Sequence, residues 1–246
     1  MNEPTNPTNP ESNRPQSPPP LIPSSTGVSL GGSASPSAIL ESLLKRPAQL
    51  IVALQEASSL RFAFILGAAA VFILALYGLV VGSFSGGTQL IAAPLKVSLG
   101  ALASALICLP SFFIFACLTG ADVTFRQIVG ILAATLALAA LLLIGFAPVA
   151  WVFSQSTESV AFIAALHLVF WWIALGFGLR LLRIFMNVAR VTDRIHLKVW
   201  ASIFVLVTLQ MTTSLRPLVG TASTILPREK KFFIVHWVET LSTDSH

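Results

Sequence analysis

The sequence predicts an all-α protein, a polytopic transmembrane helical bundle of about five spans that follows a disordered N-terminal tail. Composition is the first reason, because 55% of the residues are hydrophobic and only 10% are charged, whereas soluble domains carry about 25% charged residues. The length of the apolar runs is the second. The run 97–118 contains no charged residue, and about 20 helical residues cross a bilayer. Thirdly, basic residues stand at the ends of these runs, as topology signals do.

The net charge of +5 does not indicate nucleic-acid binding. The basic residues form no run with interleaved aromatic residues, and their positions suit lipid head groups instead. We therefore expect the lipid bilayer as a partner, together with other membrane proteins and no nucleic acid. Cys108 and Cys117 share one apolar run, about 13 Å apart along a helix, which is too far for a disulfide. Both are expected to be small buried apolar residues.

Two segments precede the first apolar run. Residues 1–37 are rich in Pro, Ser and Asn, a composition that favours a disordered, solvated tail over a signal peptide or a proline-rich ligand. Residues 38–60 predict two short amphipathic helices, with Pro47 in the first turn of the second. Their placement stays open between the membrane interface, with Lys45 and Arg46 near head groups, and the protein's own cytoplasmic face.

Residues 61–216 are predicted to form the five-span bundle. The third span is rich in alanine, so we expect a slim helix in the middle of the bundle. The fifth span is the weakest because it carries several threonines and Gln210. Residues 217–246 form a polar C-terminal tail that contains a possible interfacial helix. The predicted spans are 62–81, 95–118, with Pro94 at the helix start, 125–151, 160–182 and 199–215.

Orientation follows from the lysines and arginines of the short loops. A cytoplasmic N-terminus places Lys45, Arg46, Arg61, Arg126 and the basic segment 180–198 inside. The tail after the fifth span holds further cations, which leaves open a model in which the fifth segment re-enters the membrane. Five full spans are the preferred arrangement.

Four small or helix-bending residues are expected to shape the packing. Gly78 and Gly82 form a small-xxx-small pair that allows a close helix approach. Pro110 frees a backbone carbonyl and should produce a fixed kink rather than a moving hinge, with Ser111 able to satisfy a freed group. Pro148 should bend or stop the third span.

Polar groups inside a span are candidate functional positions because their burial in lipid is costly. Lys96 is expected to extend to the head groups as an anchor. Asp122 and Arg126, four residues apart, are expected to pair and to seat the loop between two spans. Gln127 and His167 are expected to form hydrogen bonds between helices, as is Gln210.

No catalytic motif is present. The sequence contains no His-Glu-x-x-His, no Gly-x-Ser-x-Gly, no phosphate-binding glycine loop and no pair of carboxylates within a span. We therefore expect a protein that is not an enzyme, with no cofactor and no metal.

The central block of the chain resembles the bacterial branch of the Yip1-like integral membrane proteins. The residues that carry the resemblance are Lys96, the run 109–113 (Leu-Pro-Ser-Phe-Phe), Gly120, the run 125–127 (Phe-Arg-Gln) and Pro148. The resemblance implies a five-span bundle in the bacterial cytoplasmic membrane after a Pro-rich cytoplasmic N-terminus. The eukaryotic members organise membrane traffic, bind small GTPases and carry motifs such as Asp-Leu-Tyr-Gly-Pro, which this sequence lacks.

Two functions follow as hypotheses. The first is a non-enzymatic scaffold or partner subunit of a membrane assembly, as the Yip1-like resemblance implies. The alternative is a transporter or channel subunit with a path near Pro110 and His167.

Overall fold

The computed structural model describes residues 35–55, 59–85, 87, 89–157, 159–189 and 195–214. This part of the chain folds into seven α-helices, and the prediction of an all-α bundle is confirmed. The predicted tails 1–37 and 217–246 lie almost entirely outside the described residues. The helices are α1 (Pro36–Lys45), α2 (Pro47–Gln55), α3 (Ser59–Ser85), α4 (Gln89–Leu118), α5 (Phe125–Ser156), α6 (Val160–Val188) and α7 (Ile195–Ser214).

In the part of the chain that the structure describes, four helices are long and apolar enough to cross a bilayer, and the chain is therefore a membrane protein. The apolar stretches are Leu60–Phe84 in α3, Leu90–Leu118 in α4, Phe125–Ser156 in α5 and Ala161–Val188 in α6. In α7 the apolar stretch is only Ile195–Thr208, shorter than the roughly 20 residues of a full crossing. The fifth segment is thus the weakest, as its sequence predicts, and its full crossing stays a prediction.

The long helices pack in the spatial order α6, α5, α3, α4, α7. The most extensive contacts join α3 to α5 and α3 to α4, while α6 packs on α5 and α7 packs on α4. Of the four candidate spans α5 is the most buried, and Ala134, Ala137 and Ala140 contribute to its slim interior surface. The prediction of a central alanine-rich helix is confirmed.

The short helices α1 and α2 lie against the end of the bundle. They contact α3 and α5, and α2 also contacts α6. Ile39, Leu50 and Leu54 on these helices are fully buried, whereas Leu44 and Val52 remain exposed. The structure therefore supports packing of these buried side chains on the protein itself, and the placement of α1 and α2 at the membrane interface stays a prediction.

The connection between α4 and α5 is built from local hydrogen bonds. Gly120 has φ +73°, a conformation that favours glycine. The backbone N–H of Ala121 donates to the carbonyl of Ala116, and that of Gly120 donates to Cys117, which is the Schellman arrangement of a helix end. Thr124 then caps α5 in a reciprocal capping box with Gln127.

Three prolines lie inside helices, and two expectations need correction. Helix α4 begins at Gln89, so Pro94 stands in its second turn and does not start the helix. Helix α5 continues past Pro148 to Ser156, so this proline does not stop it, and a bend at Pro148, the other expectation, stays a prediction. Both helices extend the predicted spans because lipid offers backbone groups no alternative hydrogen-bond partner, which favours helical continuity even through proline.

Successive long helices are antiparallel because short connections join them. We call the end at which α3, α5 and α7 begin and α4 and α6 end the basic end of the bundle. The exposed cations among the described residues lie at this end. They are Lys45, Arg46, Arg61, Arg126, Arg180, Arg183 and Lys198.

Candidate functional site

A buried polar pair joins α3 to α6. The hydroxyl oxygen of Tyr77 lies 2.6 Å from Nδ1 of His167. Tyr77 is 0% exposed and His167 is 8% exposed. A hydrogen bond of this kind satisfies both polar groups where water and lipid head groups do not reach. The prediction that His167 bonds to another helix is confirmed.

Aromatic rings surround this pair and hold it in place. The rings of Tyr77 and His167 meet edge to face with centroids 5.6 Å apart. Phe170, one turn along α6, meets His167 at 6.5 Å and stacks on Phe146 of α5 at 4.8 Å. Edge-to-face and offset contacts of this kind add to simple burial, so the polar pair sits in a packed aromatic layer across α3, α5 and α6.

A second polar contact joins α7 to α4 close to Pro110. Nε1 of Trp200 donates to the carbonyl oxygen of Cys108 and to Oγ of Ser111, both at 3.2 Å. The Trp200 ring stacks on Phe112 with centroids 4.2 Å apart. This indole is fully buried, so the contact both packs and orients α7 against α4.

Pro110 itself lies on the exposed side of α4. A proline at this position removes the N–H that would bond to the carbonyl of Leu106, four residues earlier. Ser111 does not reach this carbonyl, because its hydroxyl donates to Cys108 at 2.8 Å. The expectation that Ser111 satisfies a freed group is therefore corrected: Ser111 shares the Cys108 carbonyl with Trp200 instead.

His167 and Pro110 are far apart in the bundle. His167 lies about two turns after the start of α6, and Pro110 lies about two turns before the end of α4. Those two helix ends are at opposite ends of the antiparallel bundle. The structure therefore does not bring together the two residues that the transporter hypothesis combines.

Lys96 differs from its predicted placement. It stands about two turns into α4 and is only 7% exposed. The expectation of a side chain extended to lipid head groups is corrected, because the early start of α4 at Gln89 moves Lys96 away from the helix end and turns it towards the protein.

The residues before α5 also need one correction. Asp122 and Arg126 are both exposed, and the ion pair predicted between them is not formed in the described part of the chain. The loop is seated by other bonds: the backbone N–H of Thr124 donates to Oε1 of Gln127 at 2.8 Å, and Nε2 of Gln127 donates to the carbonyl of Gln55 at 3.2 Å. Gln127 thus links α5 to α2, as predicted for a bond between helices.

Of the glycine pair of α3, Gly78 lies at a close approach to α4. A Cβ at Gly78 would stand 2.5 Å from Cα of Pro94, far inside contact distance, and Gly82 is also buried. The α3–α4 approach therefore requires the absence of a side chain at Gly78. Pro148 is exposed on α5 and takes no part in either polar contact.

Tyr77 and Trp200 are the interior residues that sequence reasoning missed. Tyr77 is the one tyrosine of the chain and stands inside an apolar run, where a buried hydroxyl needs a partner. That requirement was a usable signal. The interior position of Trp200 was harder to predict, because tryptophans near the ends of spans are common at the membrane surface.

Among residues 35–55, 59–85, 89–157, 159–189 and 195–214, no cluster of three or more His, Cys, Asp or Glu side chains could hold a metal ion. Cys108 is buried as expected, whereas Cys117 is exposed. No protein family, curated protein or solved structure matches this chain.

Proposed function

We propose that this membrane protein is a non-enzymatic scaffold or partner subunit of a membrane assembly, similar in role to the membrane-organising Yip1-like proteins that its sequence resembles. The observation that supports the proposal is that buried polar side chains form hydrogen bonds between helices. Tyr77 bonds to His167, and Trp200 bonds to Cys108 and Ser111. Both contacts join one helix to another, which favours a rigid bundle that functions through contacts at its surface.

The proposal extends to orientation. The exposed cations of the described chain gather at the basic end, and loops rich in Lys and Arg remain in the cytoplasm. We therefore assign the basic end, with α1, α2 and the N-terminal segment, to the cytoplasmic side of a bacterial cytoplasmic membrane.

Co-purification and flux together test the proposal. The full chain and a His167→Ala/Pro110→Ala variant are isolated in a mild detergent from their native membrane and reconstituted in vesicles. A scaffold keeps the same co-purifying membrane proteins in both forms, and neither form changes the flux of ions or protons. Val169→Ala, a substitution at an exposed position of the same helix as His167, controls for effects of substitution and purification that do not depend on His167.

The opposite result supports the transporter or channel alternative. A pH-dependent flux with the unaltered chain that disappears in the His167→Ala variant, and persists in the Val169→Ala control, would replace the scaffold proposal. Failure to co-purify any membrane protein with the unaltered chain would also contradict it.

A further inference from the structure

One face of α6 is not covered by the other described helices. The helix packs mainly on α5 and, near one end, on α2. Its opposite side is exposed over most of its length, as Val169, Trp172, Ile173 and Phe177 show. Because these residues recur at helical spacing, they form one continuous apolar stripe along the outside of the bundle.

Two arginines continue this stripe at the basic end. Arg180 and Arg183 are exposed and stand one turn apart on the same side of α6, about 4.5 Å along the axis. They lie about 12 and about 8 Å before the end of the helix at Val188. Their long side chains can therefore reach the head-group layer while their stems remain against the apolar stripe.

Neither arginine has an acidic residue on the neighbouring helices. The sequences of α6, α5 and α2 contain no Asp or Glu. A guanidinium group at the edge of the hydrocarbon layer is costly without an anion, and two guanidinium groups one turn apart suit the oxygen atoms of a phosphate. Charge complementarity therefore favours an anion that these three helices do not supply.

The stripe contains one position without a side chain, about one turn before Arg180. Gly176 is exposed, and an added Cβ there would meet no atom within 4 Å. The glycine leaves a shallow notch between Ile173 and Arg180, which share its side of the helix. An acyl chain resting along the stripe could occupy this notch while its phosphate contacts the arginines.

We propose that this face of α6 binds an anionic phospholipid. The arginines Arg180 and Arg183 hold the head-group phosphate, and the stripe from Trp172 to Phe177, with the notch at Gly176, receives an acyl chain. This surface does not depend on the scaffold role proposed above, since a transporter subunit could carry it equally.

The first test compares two variants that lose the same charge. The full chain in detergent is titrated with phosphatidylglycerol and, separately, phosphatidylcholine, and bound lipid is counted by native mass spectrometry. We expect Arg180→Gln/Arg183→Gln to weaken phosphatidylglycerol binding roughly 20-fold. The matched control, Arg61→Gln/Arg126→Gln, removes two exposed cations from the same end and should change it by less than about threefold.

The second test addresses the acyl chain. Gly176→Leu fills the notch and should weaken binding of phosphatidylglycerol about fourfold. Gly145→Leu is its control, because Gly145 is also exposed on a long helix and also has no atom within 4 Å of an added Cβ. If the arginine variant does not fold, the comparison of phosphatidylglycerol with phosphatidylcholine on the unaltered chain tests the anionic head group, and this pair of glycine variants tests the acyl-chain contact.

Several outcomes would overturn the proposal. Equal losses of binding in the two charge variants would show diffuse electrostatic attraction rather than a defined site. Unchanged binding in both variants would show that Arg180 and Arg183 do not bind the lipid. Equal binding of phosphatidylcholine would contradict recognition of an anionic head group. Displacement of the lipid by inorganic phosphate at equal concentration would assign the arginines to free phosphate, and equal effects of Gly176→Leu and Gly145→Leu would remove the acyl-chain contact.

Discussion

The hydroxyl oxygen of Tyr77 and Nδ1 of His167 are 2.6 Å apart, and this buried contact links α3 to α6 across a bundle in which both helices pack on α5. The contact stands about two turns from the end at which α3 ends and α6 begins. It fixes the rotation of both helices, because either helix would leave a polar group unsatisfied on turning away.

This pair should show a measurable energetic coupling. In a double-mutant cycle of Tyr77→Phe and His167→Ala, we expect a coupling free energy of about 0.6 kcal/mol and no more than about 1.7 kcal/mol. The measurement is reversible unfolding in mixed detergent. Ser202, exposed on α7 with a hydroxyl bonded within its own helix, provides a distant partner for a control cycle with His167. Additive effects of Tyr77→Phe and His167→Ala would contradict a stabilising bond.

The close approach at Gly78 predicts a large effect of one methyl group. Gly78→Ala places a Cβ 2.5 Å from Cα of Pro94, so α3 and α4 must separate, at a cost of about 1–3 kcal/mol. Gly67→Ala is the matched control on the same helix, because nothing lies within 4 Å of its added Cβ. Thermal unfolding in detergent distinguishes them. A Gly78→Ala protein as stable as the Gly67→Ala protein would show that the two helices do not meet at this glycine.

Trp200 should anchor α7 through its N–H as well as its ring. Trp200→Phe removes the donor to Cys108 and Ser111 but keeps an aromatic ring against Phe112. We expect a loss of about 1 kcal/mol in stability and easier proteolysis near α7. Ser111→Ala leaves the Cys108 carbonyl as an acceptor for Trp200, so its effect should be smaller. If Trp200→Phe is as stable as the unaltered chain, the stacking contact alone holds α7.

Cysteine labelling can determine which end of the bundle faces the cytoplasm. Single cysteines at Gly87 and Thr157, in a chain without Cys108 and Cys117, should react with an impermeant maleimide added outside intact cells, because both follow helices that end away from the basic end. A cysteine at Ala48 in α2 should react only after the membrane is opened. The reverse pattern would place the basic end outside and contradict the charge rule.

The salt bridge of α1 has a defined pH dependence. Nζ of Lys45 lies 2.8 Å from Oε1 of Glu41, and the hydrogen bond and charge of Lys45 lower the pKa of Glu41 below its usual value. A lowered pKa means that the pair's support for α1 is present above the usual pKa and is lost as the pH falls through the lowered value. Lys45→Ala should raise the pKa of Glu41 in a carbon-13 NMR titration of labelled glutamate. Lys198→Ala, a change on α7, should leave it unaltered.

Much of the architecture could be predicted because lipid imposes simple requirements. Uncharged runs of sufficient length must be helical, so the starts of α5 and α6 were predicted at the residues observed, while the ends of α3, α5 and α6 were predicted four to six residues too early. The alanines of α5 also indicated its central place. The start of α4 was predicted too late, since proline is favoured in a first turn, and the sequence does not indicate that α4 accommodates Pro94 in its second turn.

The candidate site was less predictable because it depends on contacts between helices. His167 was identifiable as a polar residue in a span, but its partner Tyr77 stands 90 positions away. Lys96 and the pair Asp122–Arg126 were misplaced for a related reason: spacing along one helix does not show which side neighbouring helices cover, nor that Gln127 forms the bonds that seat the loop.

The sequence by itself determined that this chain is helical, that lipid surrounds its long apolar segments and that most cations between residues 45 and 198 belong to one end of the bundle. These properties depend on local composition and on the absence of water from the bilayer interior. Only the tertiary structure decided that Tyr77 meets His167, that Trp200 meets the Cys108 carbonyl and that Arg180 and Arg183 are left uncovered on α6. Those outcomes depend on which helix faces touch, and small differences in packing between similar apolar surfaces decide that choice.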